Sequence, residues 1–174
     1  MENNLKSYEF TSELIKTDII SLDAILNGGI TPGSIIQLVA EAGLGKSTIC
    51  MQVSKNLCVQ EKKILYIDVE GSISKELIES IDISENIDKD FFYMRGSTFG
   101  DVERIIDNAM SEVNFDLIII DSIACLINNG FVDGKRSISI ETNNSHLNSR
   151  PLTLFLNNSL SLIPFKTIPI INIP

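Results

Sequence analysis

The amino-acid sequence predicts an α/β fold built on a mainly parallel sheet. Short runs rich in Ile and Leu alternate with segments of helical periodicity, an order typical of parallel sheets that are covered by helices. A glycine-rich turn joins the first predicted strand to a helix, and two later strands end in acidic residues. With 174 residues, 44% of them hydrophobic, the chain is long enough for one domain with a substantial core.

The N-terminal part of the chain is predicted to reach the sheet through a short helix. Residues 1–16 are polar with few apolar anchors, and we expect a flexible lead-in there. Ser21 is the predicted N-cap of a helix that runs to Asn27, and the pair Gly28-Gly29 is expected to end it. A turn then leads into a strand over 34–39.

The remaining elements are predicted from the spacing of apolar residues. Further strands are expected where short apolar runs occur, at 63–68, 91–94, 116–121 and 167–173. Further helices are expected where apolar residues recur at helical spacing, at 48–60, 74–81, 100–113 and 152–163. The segment 128–148 is polar and rich in Gly, Ser and Asn, which predicts a long mobile loop.

The segment 40–48, Ala-Glu-Ala-Gly-Leu-Gly-Lys-Ser-Thr, predicts a phosphate-binding loop because it joins a strand to a helix. Gly43 and Gly45 allow a tight turn whose backbone N–H groups face an anion, and the new helix adds its positive end. Lys46 is predicted to reach the β- and γ-phosphates, and the Ser47 hydroxyl to bind Mg²⁺. The predicted nucleotide contacts are Glu41, Ala42, Gly43, Leu44, Gly45, Lys46, Ser47 and Thr48.

Acidic residues at the ends of two predicted strands would complete such a site. Asp121 follows an apolar run and emerges at the carboxyl edge of the sheet, where it is predicted to orient Mg²⁺. Asp68 and Glu70 share one face by the period of a strand. Glu70 is predicted to accept a hydrogen bond from the water that attacks the γ-phosphorus, whereas Asp68 is assigned a structural role. The alternatives are a helix-capping role for Asp121 and a solvated loop carboxylate at Glu70.

Composition and net charge argue against some classes of function and favour one cell compartment. The formal net charge of -9 argues against binding nucleic acid by bulk electrostatic attraction, although a local basic loop remains compatible with it. No apolar run approaches a membrane span and no signal peptide opens the sequence, which predicts a cytoplasmic protein without a membrane partner. Cys50, Cys58 and Cys125 lack metal-binding spacing and are expected to be reduced thiols.

The chain resembles the RecA/RadA recombinase family over about residues 15–126. The matching motifs are Thr17, Ser21-Leu22-Asp23-Ala24-Ile25-Leu26, Gly28-Gly29-Ile30, the loop at 40–48, Tyr66-Ile67-Asp68-Val69-Glu70, and 115–122. The resemblance implies a three-layer RecA-like P-loop NTPase core over 17–174 that binds ATP and Mg²⁺ and hydrolyses ATP in a DNA-dependent reaction, with Glu70 and Lys46 as its catalytic residues. It also implies a role in homologous recombination and DNA repair, with homo-oligomers or filaments formed by the full-length relative.

The chain departs from the family pattern at several positions. Ala40 stands where the loop usually has its first glycine. Leu77 is the nearest match to an aromatic residue that stacks on adenine, so no adenine contact is assigned. Ile173 or Pro174 falls near the place of the glutamine that senses the γ-phosphate, which leaves this sensor without an assigned residue.

The segment 128–148 takes the place of the family's first DNA-binding loop, and Lys135 and Arg136 are its possible DNA contacts. The sequence ends at Pro174, so the C-terminal part of the family's core, with its second DNA-binding loop, is expected to be absent. We therefore expect weak or absent binding of single-stranded DNA by this short chain. Two alternatives stay open, namely a KaiC-like or replicative-helicase-like ATPase, and a truncated nucleotide-binding module without turnover.

Overall fold

The computed structural model describes residues 13–86, 89–130, 152–157 and 170–172. The helices are α1 (Ile20–Ile25), α2 (Lys46–Val59), α3 (Lys75–Ile81), α4 (Phe99–Glu112) and α5 (Ile123–Gly130). The strands are β1 (Ile35–Val39), β2 (Ile64–Asp68), β3 (Phe91–Arg95), β4 (Leu117–Asp121), β5 (Leu152–Asn157) and β6 (Ile170–Asn172). None of the helices in these ranges is long and apolar enough to cross a membrane.

The strands form one sheet of six in the order β3-β2-β4-β5-β1-β6, and every neighbouring pair is parallel. The predicted α/β class with a parallel sheet is therefore confirmed. Because the strands are parallel, their carboxyl ends lie at one edge of the sheet. The loop after β1 and the acidic ends of β2 and β4 consequently lie along the same edge.

Helices cover both faces of the sheet, as the three-layer prediction requires. On one face α2 packs on alternate residues of β1, β2 and β4, with α1 and α3 beside it; the buried residues include Ile36, Leu38, Met51, Leu57, Tyr66 and Ile119. On the other face α4 and α5 pack on the intervening residues; the buried set includes Leu65, Ile67, Val102, Ile106, Ile118, Ile120, Ile123 and Leu126. The apolar side chains at helical spacing on α4 pack into this second cluster; they are Val102, Ile105, Ile106 and Ala109.

The strand β5 corrects the sequence prediction of a helix over 152–163. It lies between β4 and β1, and Thr153 is in register with Ile118 on one side and Ile35 on the other. A central parallel strand is buried on both faces and reads as a nearly continuous apolar run, which periodicity cannot distinguish from a buried helix. Segment 152–157 is a strand because its backbone hydrogen-bonds to both β1 and β4, which lie far from it in the sequence.

The N-terminal end of helix α1 also differs from the prediction. The N-cap residue of α1 is Ile19, not Ser21, and no side chain caps this helix. Instead the Asp23 carboxylate accepts hydrogen bonds from the Thr17 backbone N–H at 2.9 Å and hydroxyl at 2.8 Å. Asn56 of α2 donates to the Thr17 carbonyl at 2.9 Å, which fastens this segment to the layer of α2.

Parts of the predicted lead-in and loop fall outside the described residues. Within the lead-in, Ile15 forms an isolated antiparallel bridge with Ile30. The first residues of the predicted loop over 128–148 belong to α5, which ends at Gly130. The rest of that loop, including Lys135 and Arg136, lies outside the described ranges, as do Ile173 and Pro174.

Candidate nucleotide-binding site

The loop between β1 and α2 turns through two glycines in the left-handed region. The φ angle is +83° at Gly43 and +82° at Gly45, values that side chains other than glycine rarely adopt. Gly45 is also the N-cap residue of α2, so the helix begins at Lys46 and its first N–H groups have no partners within the helix. Ala40 is buried and has no positive φ, so its Cβ is accommodated where the motif usually has glycine.

Lys46 lies folded over its own loop. Its Nζ donates to the Ala40 carbonyl at 3.0 Å and to the Glu41 carbonyl at 2.8 Å, and the side chain is buried. Both acceptors are neutral, so they satisfy the hydrogen-bonding capacity of the ammonium without neutralising its charge. An anion at the exposed loop would therefore be attracted both by this charge and by the N-terminus of α2.

Asp121 ends β4 beneath the start of α2, and its side chain is buried. Burial raises the pKa of this carboxyl, and hydrogen bonds from Ser47 and Tyr66 oppose the increase. The structure thus brings together the Ser47 hydroxyl and the Asp121 carboxyl, the two groups that the sequence predicts to bind or orient magnesium. Their hard oxygen atoms are ligands that Mg²⁺ prefers.

Within the described ranges, no group of three or more His, Cys, Asp or Glu side chains could hold a metal ion by itself. Magnesium fits this sparse donor set because it keeps several waters and takes its other ligands from substrate phosphates. Ser47 and Asp121 are therefore suited to a magnesium ion that arrives with a nucleotide.

Glu70 lies just past the end of β2, beside Asp121. Its backbone N–H and that of Val69 donate to the Asp121 carbonyl at 3.3 and 2.6 Å, which extends the contact between the two strands. The Glu70 Oε1 accepts a hydrogen bond of 2.6 Å from the Ser122 hydroxyl. The residue is exposed, so a carboxylate held in this way can orient a water molecule at the edge of the sheet.

Asp68 is buried and organises the backbone that follows Glu70. Its Oδ1 accepts from the N–H groups of Gly71 at 2.7 Å and Ser72 at 3.2 Å. Its Oδ2 accepts from the N–H of Ile73 at 3.2 Å and from the Tyr93 hydroxyl at 2.8 Å. These contacts agree with the structural role that the sequence predicts for Asp68.

Replacing Asp68 with Ala is expected to destabilise the protein by about 3 kcal/mol, because four hydrogen bonds to one buried carboxyl are lost together. Urea unfolding followed by circular dichroism measures the change. Asp107→Ala is the matched control, since Asp107 is exposed on α4, and it should change stability by no more than about 0.5 kcal/mol. Equal stability of the two variants would contradict the role of Asp68.

Sequence reasoning missed three hydroxyl groups that hold the acidic side chains. Each hydroxyl donates a hydrogen bond to one carboxyl group: Tyr66 to Asp121, Tyr93 to Asp68, and Ser122 to Glu70. A signal for Tyr66 was present, because a tyrosine within an otherwise aliphatic buried strand needs a partner for its hydroxyl. Which acidic residue it bonds depends on the register between strands, which the local sequence does not contain.

Comparison with known proteins identifies relatives of this chain. A family model described as Rad51 matches residues 12–150. The DNA repair protein RadA of Halalkalibacterium halodurans is 37% identical over 109 residues, covering 63% of this chain and 23% of that protein. The DNA repair and recombination protein RadB of Methanosphaera stadtmanae is 33% identical over 121 residues, covering 66% of this chain and 52% of that protein.

A solved structure titled "Crystal structure of the RadB recombinase" has a TM-score of 0.56 at 23% sequence identity, covering 83% of this chain and 70% of that chain. This likeness shows a common fold. The chain itself spans about a quarter of the RadA protein and about half of the RadB protein named above.

The Rad51 match carries the assignment because it extends over most of the sequence and includes the phosphate-binding loop, Glu70 and Asp121. It agrees with the resemblance predicted from the sequence motifs and with the parallel sheet. The chain therefore belongs to the Rad51/RecA family of recombinases.

Proposed function

We propose that this chain is the ATP-binding core of a recombinase-type, DNA-dependent ATPase that acts in homologous recombination and DNA repair. The observation that carries the proposal is the meeting of Lys46, Ser47, Asp121 and Glu70 at one edge of a parallel sheet. Relatives whose names state DNA repair and recombination support the biological context.

Each group at this edge has a proposed task in binding and hydrolysis. The residues Glu41 to Thr48 would surround the phosphates with backbone N–H groups, and Lys46 would exchange its carbonyl partners for phosphate oxygens. Ser47 and Asp121 would hold magnesium, which neutralises phosphate charge when bound. Glu70, kept in place by the Ser122 hydroxyl, would orient the attacking water.

Single-stranded DNA is the proposed partner, with self-association into an oligomer or filament as the proposed working form. The formal net charge of -9 provides no general attraction for phosphate, so affinity for DNA must come from local contacts. Lys135 and Arg136 are the residues proposed for such contacts, and both lie outside the described ranges.

Calorimetric titration with ATP, with and without Mg²⁺, tests nucleotide binding, and ATP turnover with and without single-stranded DNA tests the kind of ATPase. We expect Mg²⁺-dependent binding and turnover that rises when DNA is added. An ATP turnover rate that does not change when single-stranded DNA is added would favour a KaiC-like or helicase-like ATPase. ATP binding without turnover would favour a nucleotide-binding module. A folded chain that binds no ATP would overturn the proposal.

A further inference from the structure

Tyr66 forms a short hydrogen bond to the acidic group at the centre of the candidate site. Its side chain is fully buried in β2, and its hydroxyl lies 2.6 Å from Oδ2 of Asp121. A second tyrosine, Tyr93 of β3, lies beside it with a ring-centroid distance of 6.4 Å and bonds Asp68 instead, at 2.8 Å. Two neighbouring phenols therefore hold two different carboxyl groups, and the one held by Tyr66 is hydrogen-bonded to Ser47.

The register of the sheet determines which carboxyl each tyrosine reaches. Across the pair β2 and β4, Tyr66 lies opposite Ile119 and Asp68 lies opposite Asp121. Alternate residues of a strand face the same side, so the Tyr66 and Asp121 side chains both point toward the layer of α2. Diagonal neighbours in a sheet are within reach of a long aromatic side chain, which explains the contact from Tyr66 to Asp121.

The hydroxyl of Tyr66 donates its hydrogen bond to a carboxyl oxygen of Asp121. The aromatic ring is also fixed, because it packs against Phe91 at a centroid distance of 6.0 Å as well as against Tyr93. A fixed donor of this kind restrains a carboxylate that could otherwise rotate about its Cβ–Cγ bond.

We propose that Tyr66 is a positioning residue for magnesium: by binding Oδ2 it orients the Asp121 carboxylate toward the ion that accompanies a nucleotide at Ser47. This inference rests on the proposed function of the site. Groups that hydrogen-bond to a metal-binding carboxylate commonly change metal affinity by about 10- to 100-fold when they are removed. Tyr66 would act through Asp121 and would touch neither the nucleotide nor the reacting atoms.

The test compares Tyr66→Phe with Tyr93→Phe, because each change removes one buried or partly buried hydroxyl from the same aromatic cluster. The measured quantity is the Mg²⁺ concentration that gives half-maximal ATP binding, together with the ATP affinity in the presence of a chelator. We expect Tyr66→Phe to raise the Mg²⁺ requirement by about 10-fold or more. The ATP affinity of Tyr66→Phe in the presence of the chelator should stay within about two-fold of the parent. Both measured quantities for Tyr93→Phe should also stay within about two-fold of the parent.

The outcomes separate this inference from the proposed function. A parent chain that binds no ATP, or a Lys46→Ala variant that binds as the parent does, overturns both. If Lys46→Ala loses binding but Tyr66→Phe and Tyr93→Phe have the same Mg²⁺ requirement, only the role of Tyr66 is overturned. Asp121→Asn gives the upper limit of the expected effect, since it removes the charge that Tyr66 is proposed to orient.

A spectroscopic measurement decides the question if Tyr66→Phe fails to fold. The chain has three Tyr and no Trp, so the double variant Tyr8→Phe/Tyr93→Phe leaves Tyr66 as the only strong fluorophore. A carboxylate acceptor quenches phenol emission, and Mg²⁺ near Asp121 weakens that acceptor. We expect emission from the ATP-bound double variant to rise when Mg²⁺ is added, and the rise to disappear with Asp121→Asn. Emission that does not respond to Mg²⁺ would overturn the inference.

Discussion

Lys46→Ala is expected to reduce MgATP affinity by about 100-fold or more while the protein remains folded. The change removes the ammonium, and charge-assisted contacts of this kind are worth about 1.5–3 kcal/mol each. The fold should tolerate the change because the two carbonyls that Lys46 contacts belong to its own loop, which is exposed from Glu41 onward, so that water can take the place of the ammonium. Calorimetry measures the affinity, and circular dichroism reports folding.

Lys55→Ala is the matched control for this experiment. Lys55 lies on the same helix, and its Nζ is 3.4 Å from an Asp82 oxygen at the surface, away from the loop. We expect this variant to bind ATP within about two-fold of the parent, since exposed ion pairs contribute little. Unchanged affinity in a folded Lys46→Ala variant would mean that the loop does not bind phosphate.

Glu70→Gln is expected to separate binding from chemistry. The amide keeps the size of the side chain but cannot act as a base, and loss of general-base catalysis typically costs about 100- to 10,000-fold in rate. ATP affinity should stay within about three-fold of the parent, because Glu70 is assigned to the attacking water and not to the nucleotide. Single-turnover hydrolysis with protein in excess over ATP measures the chemical step.

Two further variants define the result for Glu70. Glu103→Gln, at an exposed position on α4, controls for the loss of one negative charge and should hydrolyse ATP as the parent does. Ser122→Ala removes the donor to Glu70 Oε1 and should slow hydrolysis less than Glu70→Gln does, since the carboxylate remains. If Glu70→Gln hydrolyses ATP at the parental rate, Glu70 does not orient the attacking water.

The sequence predicted the elements of the fold whose signals are local. The strands β1 to β4, with the helices between them, were recognised because alternating apolar runs and turn residues lie close together in the chain. The helix predicted over 74–81 is confirmed as α3, and the structure adds that the Ser74 side chain caps it by accepting a hydrogen bond from the Leu77 N–H at 3.2 Å. The strand β5 was not recognised, because its identity depends on partners in β1 and β4 rather than on its own pattern.

The same distinction applies to the candidate site. The sequence by itself determined that a glycine-rich loop, Lys46, Asp121 and Glu70 belong to one edge of a parallel sheet, since each lies in or directly after a short motif. Only the tertiary structure decided that Tyr66 bonds Asp121, that Ser122 bonds Glu70, and that Asp23 bonds Thr17 while Ser21 caps no helix. Short motifs specify local backbone and chemistry, whereas a contact between strands is set by sheet order and register, which arise from the packing of the whole core.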